Sequence, residues 1–293
     1  MLKALTALCA LLASRVRCRS DFKLRLRCAA LVLLPSLVPL SVSEAIIIRH
    51  DVAPGAYEAR AADFPAVFYL ERQGLRKVCV ATVIHPRWAI TAAHCAEQTL
   101  LGATVELGRR FGVTVANRAR EIDAVIIHPD YDQRSASDVD LALLRFREAA
   151  AIPVPMPVNL RAEEQGQVVN LLGWGYSGRG LRGREFDDGR LRRAENRVIR
   201  ADRRLRLRFD DPREGAGALP LEGTLGLGDS GGPALLATVT GPELAGIAIG
   251  EVEGVDFQEE TQGKYGAITI FERISRHIDW LEAVIGMSAP FDS

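Results

Sequence analysis

The sequence predicts an all-β protein with two β-rich halves and a single helix at the carboxyl end. Short runs of apolar and β-branched residues recur between residues 66 and 146 and again between 167 and 269, with turn residues between them. Several short strands at this spacing are typical of an antiparallel barrel or sandwich. The chain has 293 residues, 48% of them hydrophobic, which is enough to bury a sizeable core.

The first 45 residues have the composition of a targeting segment. Residues 15–27 are basic, residues 28–42 are apolar, and Ser43-Glu44-Ala45 places small residues where signal peptidase requires them. We expect a cleaved signal peptide and a secreted, periplasmic or extracellular protein. The alternative is an uncleaved membrane anchor, although the apolar run is short for a span and contains Pro35 and Pro39.

The first β-rich half follows a polar, Ala-rich stretch, residues 52–63, that indicates a surface loop. Seven strands are predicted: Ala66–Leu70, Val78–Ile84, Trp88–Thr91, Thr104–Leu107, Val113–Val115, Ile122–Ile127 and Leu141–Phe146. The Pro-rich stretch Ala149–Pro157 then indicates a linker between the two halves.

The second half contains six more predicted strands and the helix. The strands are Gln167–Gly173, Arg192–Arg200, Leu205–Phe209, Ala234–Leu236, Glu243–Ile249 and Ala267–Thr269. The helix is predicted over Phe271–Ile285, because Ile274, Ile278, Leu281 and Ile285 recur at helical spacing.

The charge distribution argues against a nucleic-acid partner. The full chain is neutral, and residues 46–293 hold 30 Lys and Arg against 35 Asp and Glu, a net charge of −5. Residues 179–208 nevertheless contain twelve arginines and five acids. They form either an anion-binding patch or a solvated loop and strands with charged outer faces, and we favour the second interpretation.

Five cysteines are present, and three of them lie in the targeting segment. Its removal leaves Cys79 and Cys95. A lone pair in an exported protein favours one disulfide in an oxidising compartment, and the alternative is two reduced, buried cysteines. A loop of this size contributes about 3 kcal/mol to stability when closed.

The stretch Gly228–Pro233 reads Gly-Asp-Ser-Gly-Gly-Pro. A serine among glycines indicates a nucleophile on a tight, exposed turn, where backbone N–H groups can stabilise an oxyanion. The alternative is an ordinary Gly/Pro turn. A histidine and a partly buried aspartate upstream favour the nucleophile.

Two upstream residues supply the matching chemistry. His94 follows an apolar strand and has small neighbours, so its ring is free to turn towards a partner. Asp140 begins the apolar run Leu141–Leu144, where a carboxylate needs a hydrogen-bond partner such as an imidazole. The other histidines, His50, His85, His128 and His277, show no metal-ligand pattern, so we expect no metal and no cofactor.

These motifs resemble those of the chymotrypsin/trypsin family of serine proteases. The matching segments are Thr91–Cys95 (TAAHC), Asp140–Leu144 (DLALL), Leu172–Gly175 (LGWG) and Gly228–Pro233 (GDSGGP), in the family's order and spacing. Cys79 lies where the family places the partner of Cys95. The match extends from about Ile46 to Gly286.

The resemblance implies a protease domain over residues 46–293. Two packed six-stranded antiparallel barrels are expected, at about 46–150 and 158–270, with a C-terminal helix at about 271–286. It also implies that Ser230 attacks the scissile carbonyl, His94 is the general base, and Asp140 orients His94. The N–H groups of Gly228 and Ser230 would form the oxyanion hole.

The resemblance also implies a role for Asp229, which is to pair with a free N-terminus. In many members a newly freed N-terminal Ile or Val inserts and pairs with the aspartate before the nucleophile. Signal-peptidase cleavage after Ala45 would free Ile46, so Ile46 and Asp229 are the expected pair. Arg49 and His50 depart from the family, which usually has glycines near there.

The family's spacing also assigns a specificity pocket. Thr224, rather than an aspartate, stands at its expected base, followed by Leu225. The walls are expected from Ile249, Gly250, Glu251 and Gly266, and Ile249 replaces a serine that often holds the triad aspartate. We expect an uncharged side chain of small or medium size before the cleaved bond, rather than Arg or Lys.

The leading hypothesis is therefore a secreted serine endopeptidase acting through an acyl-enzyme on a protein or peptide substrate. The alternative is a non-catalytic homologue that binds or scaffolds. We expect a monomer that does not bind nucleic acid and that a protein inhibitor could bind. Membrane contact is expected only if the N-terminal segment remains attached.

Overall fold

The computed structural model describes residues 46–132, 134–135, 138–215, 217–251 and 262–286. The expected targeting segment, residues 1–45, lies outside these ranges. Within them the chain is mainly β, as predicted, with short helices. None of the described helices has the length and apolar character needed to cross a bilayer.

The first half of the chain supplies seven strands and two helices. They are β1 (Ile46–Ile48), β2 (Val67–Gln73), β3 (Arg76–His85), β4 (Trp88–Thr91), α1 (Ala93–Gln98), α2 (Leu101–Glu106), β5 (Phe111–Val115), β6 (Arg118–Ile127) and β7 (Ala142–Phe146). Strands β2 to β7 form an antiparallel sheet in the order β2-β3-β4-β7-β6-β5. Its edge strands β2 and β5 approach each other, so the sheet curls into the first barrel.

The second half supplies nine strands and the C-terminal helix. They are β8 (Val168–Gly173), β9 (Ser177–Arg179), β10 (Gly183–Phe186), β11 (Arg192–Ala201), β12 (Arg204–Arg208), β13 (Gly223–Thr224), β14 (Pro233–Thr238), β15 (Gly241–Glu251), β16 (Ile268–Arg273) and α3 (Ile278–Ile285). Six of them close a barrel in the order β11-β12-β16-β15-β14-β8. The two six-stranded barrels confirm the predicted fold class.

Strand β1 does not belong to the first barrel, although the predicted boundary placed it there. It runs parallel to β9 and antiparallel to β13, so it completes a four-stranded sheet with the order β10-β9-β1-β13. Ile46, Ile47 and Ile48 are all fully buried in this position. The three consecutive isoleucines therefore form a strand buried on both faces.

The predicted strand Thr104–Leu107 is wrong, because these residues lie mostly in helix α2. Thr104 and Val105 favour strands locally, but Leu101 is fully buried and α2 packs beside α1. Packing of the turn against its neighbours overrides the local preference.

The predicted start of the C-terminal helix, Phe271, is also wrong. Phe271 is fully buried in β16, where it lies opposite Ala248 of β15 and Leu205 of β12. The strand closes the barrel, a short 3-10 turn at Ile274–Arg276 follows, and the α-helix begins only at Ile278. A cross-strand pairing with residues far away in the sequence thus prevails over helical spacing.

The Arg-rich segment forms charged strand faces rather than an open cationic patch. Arg190 pairs with Glu58 at 2.7 Å, and Arg200 and Arg206 both pair with Asp202, at 2.7 and 2.9 Å. Such ion pairs compensate the positive charge locally. This arrangement agrees with the interpretation favoured from the sequence.

Cys79 and Cys95 form a disulfide, as predicted. It joins β3 to α1, so the strand that faces the serine loop is covalently tied to the helix that carries His94. Both cysteines are almost completely buried. The link therefore fixes two elements that border the candidate site.

Candidate active site

The serine loop lies between β13 and β14 and is held against β3. The N–H of Cys79 donates to the carbonyl oxygen of Gly228 at 3.0 Å, and that of Val80 donates to the carbonyl oxygen of Ser230 at 2.7 Å. A Cβ atom on Gly231, which has φ +76°, would lie 2.2 Å from the carbonyl oxygen of Val80. Glycine at 231 is therefore required for this close approach.

The two N–H groups expected to form an oxyanion hole remain available. Neither the N–H of Gly228 nor that of Ser230 donates to an acceptor within the described residues. Gly228 adopts φ +101°, a backbone conformation that suits glycine. The carbonyl groups of Gly228 and Ser230 are both bound to β3, which holds the backbone of this loop in place.

His94 and Asp140 form a tight buried pair. Asp140 Oδ1 accepts from the backbone N–H of His94 at 2.9 Å, and Asp140 Oδ2 lies 2.5 Å from His94 Nδ1. The two residues are 9% and 7% exposed. Contact with Nδ1 leaves Nε2 as the ring nitrogen that can act on a reacting group.

A single cavity of about 340 Å³ connects these groups. His94, Asp140 and Ser230 all line it, and Ser230 is partly exposed there. In the part of the chain that the structure describes, the Ser230 hydroxyl makes no direct hydrogen bond to His94. Such bonds are often long in unliganded enzymes and tighten once substrate is bound.

Asp229 points away from this cavity into the interior. It is fully buried, and its two oxygens accept from the N–H groups of Gly175, at 2.6 Å, and Gly226, at 2.9 Å. Burial raises the pKa of Asp229 to about 7. Among the described side chains no cation pairs with it.

Ile46 is connected to the surroundings of Asp229 through the segment Gly175–Ser177. It runs beside Ser177, whose hydroxyl donates to the carbonyl of Ile46, two residues after Gly175. The backbone of Ile46 has φ +55°, a conformation that is an outlier for a β-branched residue. Because φ depends on the preceding carbonyl carbon, cleavage of the bond before Ile46 would remove that constraint.

The expected specificity residues divide into two groups. Leu225, Ile249, Gly250 and Glu251 line the cavity together with the triad residues. Thr224 does not: it is fully buried, it pairs with Ile47 across β1 and β13, and its hydroxyl has no hydrogen-bond partner within the described chain.

Gly266 lies elsewhere, on a separate cavity that Phe209 and Tyr265 also line. Thr269 occupies the wall instead, because β16 pairs with β15 in a register that sets Thr269 opposite Glu251. Glu251 accepts from the N–H of Gly263 at 3.0 Å, and its partial burial raises its pKa.

Sequence reasoning missed Gln98, Leu227, Gln262 and Thr269, which also line the cavity. The sequence did indicate a position near the site for Leu227, since it directly precedes the turn at Gly228. No local pattern indicated Gln262 and Thr269, because their place depends on strand register. A cluster of Cys79, His94 and Cys95 resembles a metal site, but both sulfur atoms are bonded to each other and offer no thiolate.

Comparison with known proteins identifies the family of the chain. The Trypsin family model matches residues 53–281. Granzyme E of Mus musculus is 32% identical over 220 residues, which cover 69% of this chain and 82% of the granzyme. Vitamin K-dependent protein C of Mus musculus is 37% identical over 111 residues, but these cover only 33% of this chain and 23% of protein C.

A solved structure of mouse neuropsin, described as a serine protease expressed in the limbic system, shares the fold. Its TM-score is 0.57 at 20% identity, and the match covers 78% of this chain and 98% of neuropsin. The family match extends over most of the chain and contains His94, Asp140 and Ser230, whereas Ile46 lies before it. The chain therefore belongs to the trypsin family of serine proteases.

Proposed function

We propose that this protein is an exported serine endopeptidase that acts through an acyl-enzyme. The observation that carries the proposal is the double contact of Asp140 with His94, on a cavity that Ser230 also lines. Asp140 binds Nδ1 of the His94 ring, so Nε2, which lies 3.9 Å from Cys95 Sγ, is the nitrogen proposed to act on the serine. No metal or cofactor is needed for this chemistry.

In the proposed reaction, the Ser230 hydroxyl attacks the peptide carbonyl while His94 Nε2 takes its proton. The negative charge that develops on the carbonyl oxygen is stabilised by the N–H groups of Gly228 and Ser230. His94 then protonates the leaving amine, and a water molecule deacylates Ser230 by the same steps in reverse. Asp140 stabilises the charged imidazole throughout.

A fluorophosphonate probe tests the proposal. We expect covalent labelling of the processed protein and loss of labelling in Ser230→Ala, with peptide turnover reduced on the order of 10⁶-fold. The variant should keep the unfolding temperature of the parent protein. Absence of labelling in correctly processed, folded protein would instead favour a non-catalytic homologue that binds or scaffolds.

We further propose that the enzyme becomes competent when signal peptidase cuts after Ala45. The buried Asp229 lacks a cation among the described residues, and a free ammonium at Ile46 would supply one. N-terminal sequencing of secreted, active protein should find Ile46, and a start elsewhere would contradict this step.

The cavity walls support a preference for an uncharged side chain of small or medium size before the cleaved bond. Leu225, Leu227 and Ile249 make much of the surface apolar, and Thr269 narrows it opposite Glu251. Cleavage-site profiling on a peptide library is the direct measurement. A profile dominated by Arg and Lys would show that the Glu251 carboxylate governs the pocket.

We also propose that the protein is exported to an oxidising compartment. The Cys79–Cys95 disulfide and the apolar, small-residue ending of the N-terminal 45 residues support it. We propose that the processed protein acts as a monomer on protein or peptide substrates and is open to control by a protein inhibitor. Its substrate need not be that of granzyme E or protein C.

A further inference from the structure

Within the described residues, the carboxylate of Asp140 binds only His94, and other groups bind the backbone of Asp140 and its neighbours. Both of its oxygens accept from His94, one from the backbone and one from the ring. Ile249, which lines the same cavity, has an aliphatic side chain and can donate nothing to the carboxylate. Asp140 must therefore be held through its backbone.

The backbone before Asp140 is held by the second barrel at two successive peptide groups. The N–H of Asp140 donates to Glu272 Oε1 at 3.2 Å. The carbonyl oxygen of Asp138 accepts from Arg204 Nη2 at 2.9 Å and from Arg203 Nη2 at 2.7 Å. These contacts reach from β12 and β16 to a loop that belongs to the first barrel.

Glu272 and Arg204 form one rigid unit. They lie directly opposite each other on β16 and β12, and Arg204 Nε and Nη2 donate to Glu272 Oε1 at 2.8 and 2.6 Å. Their side chains are 1% and 17% exposed. Arg204 Nη2 also approaches Asp138 Oδ2 at 3.5 Å, and His277 Nε2 lies 3.9 Å from Glu272 Oε2.

A buried ion pair is weak evidence of a stabilising role. Both charges must be removed from water to form it, and well-packed apolar residues of similar size are often equally stable or better. Burial accordingly raises the pKa of Glu272, which Arg204 opposes. Glu272 lies in the otherwise mainly apolar run Ala267–Ile274. Its pairing with Arg204 therefore suggests a role other than stabilising the barrel.

We propose that Glu272 and Arg204 are positioning residues that fix Asp140, and through it His94, from the second barrel. Glu272 holds the N–H of Asp140 while Arg204 holds the carbonyl group of Asp138. The pair thereby aligns the acid and base of the first barrel with Ser230, which is attached to the second. This inference rests on the proposed endopeptidase function.

The test compares four variants of the processed protein with the wild type. Glu272→Gln keeps the acceptor for the Asp140 N–H and removes the charge. Glu272→Leu removes both the acceptor and the charge, but it leaves Arg204 without its carboxylate. It is therefore compared with the double variant Glu272→Leu/Arg204→Met, which removes both charges of the pair. The matched control is Glu243→Leu/Arg161→Met, which removes an exposed ion pair of the same barrel.

We expect the Glu272→Leu/Arg204→Met protein to fold with nearly unchanged unfolding temperature. Its kcat should fall at least about tenfold with KM changed little, because a small misplacement of catalytic groups has a large effect on rate. Glu272→Gln and the control should stay within about threefold of the wild type. Unchanged kcat in the folded double variant would overturn the proposal.

A second measurement separates this inference from the endopeptidase proposal. In a Ser230→Ala background, the NMR resonance of the proton between His94 Nδ1 and Asp140 reports that hydrogen bond without any turnover. Looser holding of Asp140 should broaden or displace this resonance in Glu272→Leu/Arg204→Met, while Glu272→Gln keeps it near the parent position. An unchanged resonance in the folded double variant would overturn positioning, whether or not the wild type is labelled by the fluorophosphonate.

Discussion

A Cβ atom on Gly173 would lie 2.0 Å from Oδ1 of Asp229. Gly173 ends strand β8, and its missing side chain makes the space in which the buried carboxylate sits. The position of Asp229 in turn fixes the neighbouring Ser230. The glycine before Trp174 is thus a steric requirement of the site rather than a turn residue.

Gly173→Ala should therefore disable the site while leaving the fold intact. The added methyl group must displace the Asp229 carboxylate and with it the loop that carries Gly228 and Ser230. We expect fluorophosphonate labelling to slow at least about 100-fold, since small displacements of catalytic groups carry that cost. Gly112→Ala is the control, because a Cβ there meets nothing within 4 Å, and equal labelling of the two variants would contradict the prediction.

The stability of the uncut protein should depend on pH through Asp229. Folding raises the pKa of Asp229 from 3.8 to about 7 because the group is buried. Between these values the folded state keeps a proton that the unfolded state loses, so stability falls as pH rises from about 4 to about 7. In an uncut chain with a short extension before Ile46, Asp229→Asn should therefore raise the unfolding temperature more at pH 8 than at pH 4.

The same substitution should have the opposite sign once Ile46 is the free N-terminus. A paired ammonium would favour the charged carboxylate, and Asp229→Asn would then remove a stabilising ion pair at pH 8. Thermal unfolding of cut and uncut proteins in a Ser230→Ala background measures both signs. A stabilising effect of equal size in both forms would rule out pairing between Ile46 and Asp229.

Asp140→Asn should abolish most catalysis without unfolding the protein. An amide that still accepts from the backbone N–H of His94 would present its NH₂ group to Nδ1 and favour the wrong tautomer of the ring. We expect kcat to fall about 10⁴-fold near neutral pH. Steady-state kinetics, with circular dichroism to check the fold, test this, and a loss below tenfold would exclude Asp140 as the orienting group.

Thr269→Gly should broaden the range of accepted substrates. Thr269 lies beside Glu251 on the neighbouring strand and lines the cavity, so removal of its side chain enlarges the cavity. We expect the ratio of kcat/KM for Phe over Ala before the cleaved bond to rise at least about tenfold, since one methylene group is worth about 1–3 kcal/mol. Thr240→Gly, in an exposed turn outside this cavity, should leave the ratio unchanged.

Residues whose chemistry depends on near neighbours were predictable. His94, Asp140 and Ser230 each sit in a short motif of small or apolar residues, and the structure brings all three to one cavity. The disulfide followed from cysteine count and the targeting segment. The all-β class followed from the many short apolar runs.

Residues whose place depends on strand register were not predictable. Thr269 lines the cavity, rather than Gly266, because β16 pairs with β15 in a register that no local sequence pattern reveals. Phe271 likewise belongs to the barrel through distant partners. Glu272 did carry a signal, an acid within the apolar run Ala267–Ile274, although its contact with Asp140 requires the folded chain.

The proposed nucleophile and its base come from different halves of the molecule. His94 and Asp140 belong to the first barrel, whereas Ser230 lies on a loop of the second barrel. Hydrogen bonds from Cys79 and Val80 hold that loop against the first barrel. A nascent chain that has emerged only as far as the linker holds a base without a nucleophile. The proposed nucleophile and base can therefore come together only after Ile268–Arg273, the last of the described strands to be synthesised, has closed the second barrel.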